Sequence, residues 1–255
     1  MEKRCCITNR NDYDCQVMFG NHMLNQERNL PSLGFSLLRR RKIMKFIDYP
    51  TINPNEEFQF ECKNCGDCCR SVKNAVFLES LDLFRISKYL GLEISEVMQR
   101  YTDVCFVFEA FPMLVLKTKG EKDACVFLNK CKCRIHSAKP RTCRMYPLSA
   151  GFDKDDIQYV IASKKEHHFT GQKYTADDWM SECLSEEDRK FMRLDCDFAV
   201  EISKLINKID DSKKDEVIRN MLLFRFCLYD TSEDFLSQFI NNMQALKYKL
   251  AQLSK

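Results

Sequence analysis

Two separated groups of cysteines are the residues of this chain that could carry out chemistry. The first group is the run Cys62-Lys63-Asn64-Cys65-Gly66-Asp67-Cys68-Cys69, which has the pattern CxxCxxCC. The second group consists of Cys125, Cys131, Cys133 and Cys143. Thiolates are strong ligands of zinc and of the iron in iron–sulfur clusters. The two groups together therefore predict a metal site for which all eight cysteines are candidate ligands.

The spacing within the first group limits what that site can be. Cys62, Cys65 and Cys68 have the C-x2-C-x2-C spacing that also holds three irons of a four-iron (4Fe-4S) cluster. Because neighbouring side chains diverge, we expect Cys68 and Cys69 not to serve one tetrahedral ion in the same way. The pair indicates two metals, a cluster plus a separate ion, or one ligand and one supporting thiol. Eight thiols are also twice what one zinc ion needs.

Charged residues and histidines near the cysteines are candidates for stabilising the thiolates or for completing the metal site. We expect nearby arginines to offset the repulsion between thiolates, with solvated surface residues as the alternative; they are Arg70, Arg134, Arg141 and Arg144. His167 and His168 follow a predicted strand, and either could complete a metal site. Glu61 precedes the first group and Asp67 lies within it, and we interpret both as solvated loop carboxylates rather than catalytic bases.

Composition narrows the class of protein and its compartment. The 255 residues are 45% hydrophobic and 30% charged, as in soluble globular proteins. A net charge of +3 indicates neither nucleic acid nor membrane as a partner, and no apolar run reaches the length of a membrane span. Fifteen cysteines without a signal-like N-terminus predict a reducing, cytoplasmic location with metal-bound or free thiols. A disulfide scaffold is the alternative.

The chain divides into three segments. We expect residues 1–43 to be a disordered extension or a misassigned start, because Arg39-Arg40-Arg41-Lys42 before Met44 resembles a translated ribosome-binding site. Residues 44–174 contain the cysteine groups, and residues 175–255 have helical patterns. The predicted fold is a single α+β unit, in which a small Cys-rich metal-binding core of short strands and helices is followed by a packed C-terminal helical bundle.

Local patterns predict the elements that position the cysteines. Ser80 is the predicted N-cap of a helix over 81–90 that Gly91 ends, and residues 125–128 are a predicted strand. Further predicted caps precede a carboxylate by three residues: Thr175, Ser185, Ser212 and Thr231. Two apolar stripes at helical spacing are attributed to core packing: Phe191, Leu194, Phe198, Ile202, Leu205 and Ile206, then Phe235, Phe239, Met243, Leu246 and Leu250.

The ordered cysteine motifs resemble a known family. After CxxCxxCC come Cys125-Val126-Phe127-Leu128, Cys133-Arg134-Ile135-His136 and Lys139-Pro140-x2-Cys143-Arg144-x-Tyr146-Pro147. Over residues 58–172 this set resembles the YkgJ-type cysteine-cluster proteins, a zinc- or iron-chelating CxxCxxCC family often labelled Fe–S-cluster-containing. That family usually has C-P-F-L, C-x-I-Y and R-P-x-x-C-R, so Val126, His136 and Lys139 depart from it. A further family cysteine is replaced here by the His167-His168 segment, which implies that a histidine substitutes for it or that Cys131 does.

Three functions follow, in order of preference. The thiol number and the ferredoxin-like spacing of the first group favour a metal-binding protein that holds an iron–sulfur cluster and has a redox or accessory role toward an unknown protein partner. The first alternative is a zinc-binding structural or interaction module. The second is a metal-dependent protein-modifying enzyme, since the flagellin lysine methylases look distantly similar through the same cysteines. No Gly-rich nucleotide motif, HExxH motif or P-loop supports an enzyme, so catalytic residues are not assigned.

Overall fold

The computed structural model describes residues 50–107, 111–153, 156–161 and 165–254. Within these ranges short antiparallel strands alternate with short helices, and longer helices follow toward the C-terminus, which confirms the predicted α+β class. The predicted segment 1–43 lies outside the described residues, and the proposed segment boundaries stay predictions. No helix in the described part of the chain has both the length and the apolar composition that a membrane span requires.

The strands are short and form small antiparallel sheets. Their bounds are β1 Thr51–Ile52, β2 Glu57–Phe60, β3 Phe77–Leu78, β4 Thr102–Val107, β5 Phe111–Leu116, β6 Thr118–Lys119, β7 Ala124–Cys125, β8 Leu128–Asn129, β9 Lys132–Cys133, β10 Leu148–Asp153, β11 Asp156–Ile161 and β12 Gln172–Thr175. Two sheets have three strands, in the orders β1–β11–β10 and β3–β5–β4. The pairs β2–β12, β6–β7 and β8–β9 complete the set described.

The helices flank these sheets and then dominate the C-terminal region. Their bounds are α1 Ser80–Leu90, α2 Ile94–Tyr101, α3 Arg141–Met145, α4 Ala176–Cys183, α5 Glu186–Ile206, α6 Lys214–Leu222 and α7 Phe235–Leu253. Single 3-10 turns lie at Asp67–Cys69, His136–Ala138, Glu166–His168 and Asp211–Lys213, and a π turn follows α6 at Leu223–Cys227.

Several predicted helix caps are confirmed where no other residue takes the cap position. Thr175 caps α4, and Ser185 caps α5 in a capping box with Asp188, as predicted. Gly91 ends α1 in the left-handed conformation, with φ 63°. The N-cap of α1, however, is Glu79 rather than Ser80, because the Ser80 hydroxyl instead donates to the carbonyl of Arg225.

Two other predicted caps are wrong: Asp234 is the N-cap of α7, and Lys213 is the N-cap of α6, after a 3-10 turn that Asp210 caps. Asp234 itself caps α7 by accepting the backbone N–H of Ser237 at 2.8 Å, so Thr231 lies outside the helix. The Asp210 carboxylate accepts the N–H of Ser212 at 2.9 Å, which makes a 3-10 turn ahead of α6. A short carboxylate side chain competes effectively for N-terminal N–H groups, which explains both displacements.

The predicted strand over 125–128 is also wrong, with a consequence for the cysteines. β7 ends at Cys125 and β8 begins at Leu128, and the two residues between them form a turn. The N–H of Val126 bonds to the carbonyl of Lys117, and the Phe127 carbonyl accepts the N–H of Arg134. The turn leads directly into the β8–β9 hairpin, where Cys133 pairs with Leu128.

Two hydrophobic cores meet at the cysteine region. The first core joins α1, the β3–β5–β4 sheet and the C-terminal helices; it includes Cys125 and Phe127, and Cys69, Cys133 and Cys143 pack against it. The second core lies between β2, β10, β11 and α4 and includes Met145. The stripe residues Phe191, Ile202, Phe235, Phe239, Met243, Leu246 and Leu250 are buried in the first core, which supports the core-packing interpretation. The helix α3 therefore contacts both cores, with Cys143 toward the first and Met145 in the second.

Candidate metal centre

The pairing of β2 with β12 joins two distant segments that carry metal-binding side chains. In this pairing Phe60 lies opposite Gln172, and the next N–H, that of Glu61, donates to the carbonyl of His168 at 3.1 Å. The CxxCxxCC loop that follows β2 is thereby held against the 3-10 turn Glu166–His168 that precedes β12. Lys165 adds a second link, since its Nζ donates to the Asp67 carbonyl at 2.6 Å.

Gly66 allows the loop to fold back on itself. Its φ of 73° is in the left-handed region, and the 3-10 turn Asp67–Cys69 follows directly. A Cβ added at Gly66 would lie 3.0 Å from both the Leu128 side chain and Arg70 Nη1. The loop therefore needs glycine at this position for its backbone conformation and for its close approach to β8.

Substitution of Gly66 tests both requirements. We expect Gly66→Ala to lower the free energy of unfolding by about 2 to 3 kcal/mol, from left-handed backbone strain and overpacking. Gly120→Ala is a matched control, because Gly120 has φ +70° but nothing within 4 Å of an added Cβ. The control should lose only about 1 kcal/mol. Equal losses in urea unfolding would contradict the packing part of this explanation.

Four potential metal ligands converge where the two segments meet. They are Cys65, Asp67, His167 and His168, whose donor atoms all lie within 4.8 Å of one another. Cys65 Sγ is 3.2 Å from His168 Nε2 and 3.8 Å from His167 Nε2. His167 Nε2 is 3.2 Å from Asp67 Oδ2. Asp67 and His168 are buried, whereas His167 is exposed. We call these four residues the mixed-ligand group.

Hydrogen bonds behind the mixed-ligand group fix the orientation of its side chains. The Tyr146 hydroxyl is 2.6 Å from His168 Nδ1, on the far side of the ring from Cys65. Arg70 Nη1 donates to Asp67 Oδ1 at 3.3 Å and to the Cys65 carbonyl at 2.8 Å. Burial, reinforced by the charges of His167 and Lys165, lowers the pKa of His168 to about 4. His168 is therefore a neutral imidazole at neutral pH, the form that binds metals.

A second set of cysteines lies beside the mixed-ligand group. It comprises five reduced cysteines from four places in the chain, namely Cys68, Cys69, Cys125, Cys133 and Cys143, and we call it the thiol cluster. Cys68 Sγ and Cys69 Sγ are 3.9 Å apart. The charges of Cys143 and Cys125 both act on Cys69, and that of Cys68 acts on Cys133. The expectation that the CC side chains diverge is therefore wrong, because the 3-10 turn brings the two sulfurs to the same side.

Cys68 and Cys69 differ strongly in how readily their thiols lose a proton. A hydrogen bond with Cys69, together with the charges of Lys139 and Lys165, outweighs burial and lowers the pKa of Cys68 to about 7. The same bond, burial and the charges of neighbouring thiols raise the pKa of Cys69. Burial is the main cause that raises the pKa values of Cys125 and Cys133. A bound cation replaces the protons of such thiols and offsets the repulsion between thiolates, which is the donor chemistry of a metal site.

Lysines as well as arginines supply the positive charge near the thiols. Lys139 acts on Cys68 and on Cys133, where the charge of Arg134 assists it. Arg141 and Arg144, in contrast, neutralise carboxylates. Arg141 is buried and pairs with Glu79 through Nε at 2.7 Å, so the alternative that it is a solvated surface residue is wrong.

Arg144 and Arg141 fix the helix that carries Cys143. Arg144 makes a bidentate pair with Asp188 of α5, with N–O distances of 2.9 and 2.6 Å. The N–H of Arg141 donates to Asp82 of α1 at 2.7 Å. The helix α3 is therefore attached by charged hydrogen bonds to α1 on one side and to α5 on the other.

Two of the predicted ligands belong to neither group. The Cys62 side chain is exposed, and its sulfur is 4.0 Å from Asn64 Oδ1 within the same loop. Cys131 lies beside Gly66 and 3.9 Å from Arg70 Nη2, and it is disulfide-bonded in this structure rather than reduced. For both residues, metal ligation stays a prediction from the sequence.

A family comparison covers the region that contains both groups. The profile of the family described as "CxxCxxCC: Putative zinc- or iron-chelating domain" matches residues 61–190, about half of the chain. The chain belongs to this family. The match confirms the resemblance inferred from the cysteine motifs. It includes both the thiol cluster and the mixed-ligand group, so the CxxCxxCC domain of this chain contains every potential ligand described above.

One relative extends the comparison to another organism. The chain is 32% identical over 114 residues to an uncharacterized protein of Methanocaldococcus jannaschii. The aligned region is 44% of this chain and 57% of the relative, so the chain spans little more than half of that protein. No solved structure matches the chain.

Sequence reasoning missed one potential ligand and two cations of the CxxCxxCC domain. The sequence predicts Asp67 to be a solvated carboxylate, but it is buried and faces His167. Its position between Cys65 and Cys68, directly after a glycine, was the available signal. Lys139 and Lys165 carried no spacing signal, because their proximity to Cys68 depends on tertiary contacts. Glu61 is exposed and pairs with Lys63, in agreement with its interpretation as a surface carboxylate.

Proposed function

We propose that the CxxCxxCC domain holds an iron–sulfur cluster on its thiol cluster and has a redox or accessory role toward another protein in the cytoplasm. The observation that carries the proposal is the proximity of five reduced cysteines from four places in the chain. Cys68 and Cys69 Sγ are 3.9 Å apart, and Cys125, Cys133 and Cys143 are close enough to this pair to interact with it electrostatically. Five sulfur donors exceed the four that a single tetrahedral ion takes, which favours a polynuclear centre. The family description, zinc- or iron-chelating, is consistent with it.

The surrounding residues suit such a centre. Cys125 is buried in the first core, and Cys69, Cys133 and Cys143 pack against that core, so apolar side chains exclude water from one side. Lys139 and Lys165 provide positive charge that favours thiolates. An iron–sulfur cluster, when bound, supplies one-electron transfer. The protein's own contribution would be to hold the sulfurs, limit solvent access and set the local charge.

Zinc is the second candidate, and one distance favours it. Two sulfurs bound to a single tetrahedral zinc lie about 3.8 Å apart, given a Zn–S distance of about 2.3 Å. Cys68 and Cys69 Sγ are 3.9 Å apart, so the pair can hold one ion. With zinc bound, the domain would be a structural or interaction module.

Anaerobic purification of the full chain distinguishes the candidates. Iron, acid-labile sulfide and zinc would be measured per chain, together with the visible absorption spectrum. We expect a brown protein with matching iron and sulfide whose colour bleaches on reduction. A colourless protein with zinc as its only metal would overturn the iron–sulfur proposal in favour of the zinc module. A protein that takes up neither metal would overturn both.

A further inference from the structure

The mixed-ligand group has the dimensions of a binding site for one metal ion. For a tetrahedral zinc ion with standard bond lengths, a sulfur and a nitrogen ligand lie about 3.5 Å apart, and a nitrogen and an oxygen ligand about 3.3 Å apart. The corresponding sulfur–nitrogen distances here are 3.2 and 3.8 Å, from Cys65 to His168 and His167. The nitrogen–oxygen distance from His167 to Asp67 is 3.2 Å. These three distances, with all four donor atoms within 4.8 Å of one another, match those expected around one bound ion.

The donor types also differ from those of the thiol cluster. One thiolate, one carboxylate and two imidazoles form a mixed set that suits a single zinc ion and lacks the four thiolates typical of iron–sulfur clusters. With one thiolate and one carboxylate, the set carries two negative charges, which neutralise a divalent cation.

Hydrogen bonds from neighbouring residues orient these four side chains, as they do around the ligands of known metal sites. Tyr146 contacts Nδ1 of His168, so that Nδ1–H can donate to the hydroxyl oxygen while the Nε2 lone pair points to the ion. Arg70 occupies Oδ1 of Asp67 and leaves Oδ2 facing His167. The backbone of the two segments is joined by the bond from Glu61 to His168.

We propose that Cys65, Asp67, His167 and His168 form a separate mononuclear zinc site beside the thiol cluster. The site uses residues that the cluster does not need, and it links the CxxCxxCC loop to the segment before β12. Because all four positions are filled by protein ligands, its zinc is structural: it fastens together two segments that lie about one hundred residues apart.

His167→Gln tests the site with little risk to folding, because the His167 side chain is 44% exposed. The matched control is His136→Gln, an exposed histidine outside the mixed-ligand group. We expect His167→Gln to lose one zinc per chain and to bind added zinc more than about 100-fold more weakly than the wild-type chain. This loss exceeds the usual effect of removing a residue that only hydrogen-bonds a metal ligand, which is about 10- to 100-fold. Iron, sulfide and visible colour should stay unchanged in both variants.

X-ray absorption at the zinc edge of the wild-type full chain gives a readout that needs no variant. We expect nitrogen or oxygen neighbours with imidazole scattering and a minor sulfur contribution. Zinc surrounded by sulfur alone, or unchanged zinc affinity in His167→Gln, would overturn the proposal. Loss of all metals in His167→Gln would also overturn it, because one shared site would then explain both groups. Failure of the iron–sulfur proposal would appear separately, in iron, sulfide and colour.

Discussion

Asp188→Asn is expected to lower the free energy of unfolding by about 3 to 5 kcal/mol, the usual cost of removing one partner from a buried ion pair. The Asp188 side chain is 1% exposed and binds Arg144 through two bonds and Arg85 at 2.6 Å. It also accepts the N–H of Ser185 in the capping box of α5. The substitution leaves both guanidinium groups without their buried anion. Since Arg144 follows Cys143, we also expect weaker metal retention.

Urea unfolding of the metal-loaded chain measures this effect against a control in the same helix. Asp197→Asn removes an exposed carboxylate of α5, and we expect it to change the stability by no more than about 0.5 kcal/mol. A loss of similar size in both variants would mean that Asp188 acts through the general charge of α5. In that case the anchoring of α3 to α5 would have to come from apolar packing.

The pH dependence of stability provides an independent test of the same group. Burial alone would raise the pKa of Asp188, but the bonds and charge of Arg144, with Ser185 and Arg85, hold it well below its usual range. Because the pKa of Asp188 is lower in the folded state than in the unfolded state, where it is about 3.9, its ionised carboxylate stabilises the fold above this pH. That stabilisation is lost as the pH falls from about 4 toward the folded-state pKa. We therefore expect wild-type stability to fall more steeply than that of Asp188→Asn below about pH 4. Parallel curves would contradict this assignment.

Cys143→Ser and Cys133→Ser are expected to lose most of the metal held by the thiol cluster. Their free energies of unfolding should fall by at least about 3 kcal/mol, because ligand binding to a metal contributes directly to folding free energy. The loss should be smaller than in zinc-finger peptides, since two hydrophobic cores remain here. Metal content and thermal unfolding would be measured on the same anaerobic samples.

Two controls separate metal loss from disturbed packing. Cys105→Ser changes a half-buried cysteine of β4 that is outside the thiol cluster, and it should retain full metal content. A chelator should remove the metal from both the wild-type chain and the Cys143→Ser variant. The free energies of unfolding of the two metal-free proteins should then agree to within about 1 kcal/mol. Full metal occupancy in Cys133→Ser and Cys143→Ser would exclude both residues as ligands. Cys65→Ser should lower metal content too, but through the mixed-ligand group.

Elements with strong local signals could be predicted from the sequence. The apolar stripe from Phe235 to Leu250 is buried as α7, because its period forces one face of the helix into the core. Gly91 ends α1, since glycine alone adopts the left-handed conformation without strain. Predictions failed where a nearby group competed for the same hydrogen bond, as Asp234 did at the start of α7.

The α+β class, the family and the presence of enough thiols for a metal site could be predicted from residue types and their short-range spacing. The assignment of each donor to the thiol cluster or to the mixed-ligand group depends on tertiary contacts. The antiparallel register of β2 and β12 places His167 and His168 beside Cys65 and Asp67, across 102 residues from Cys65 to His167. The 3-10 turn after Gly66 brings the sulfurs of Cys68 and Cys69 together, and ion pairs to α1 and α5 hold Cys143 against them. Spacing along a chain cannot specify such contacts, because they depend on which distant strands and helices pair.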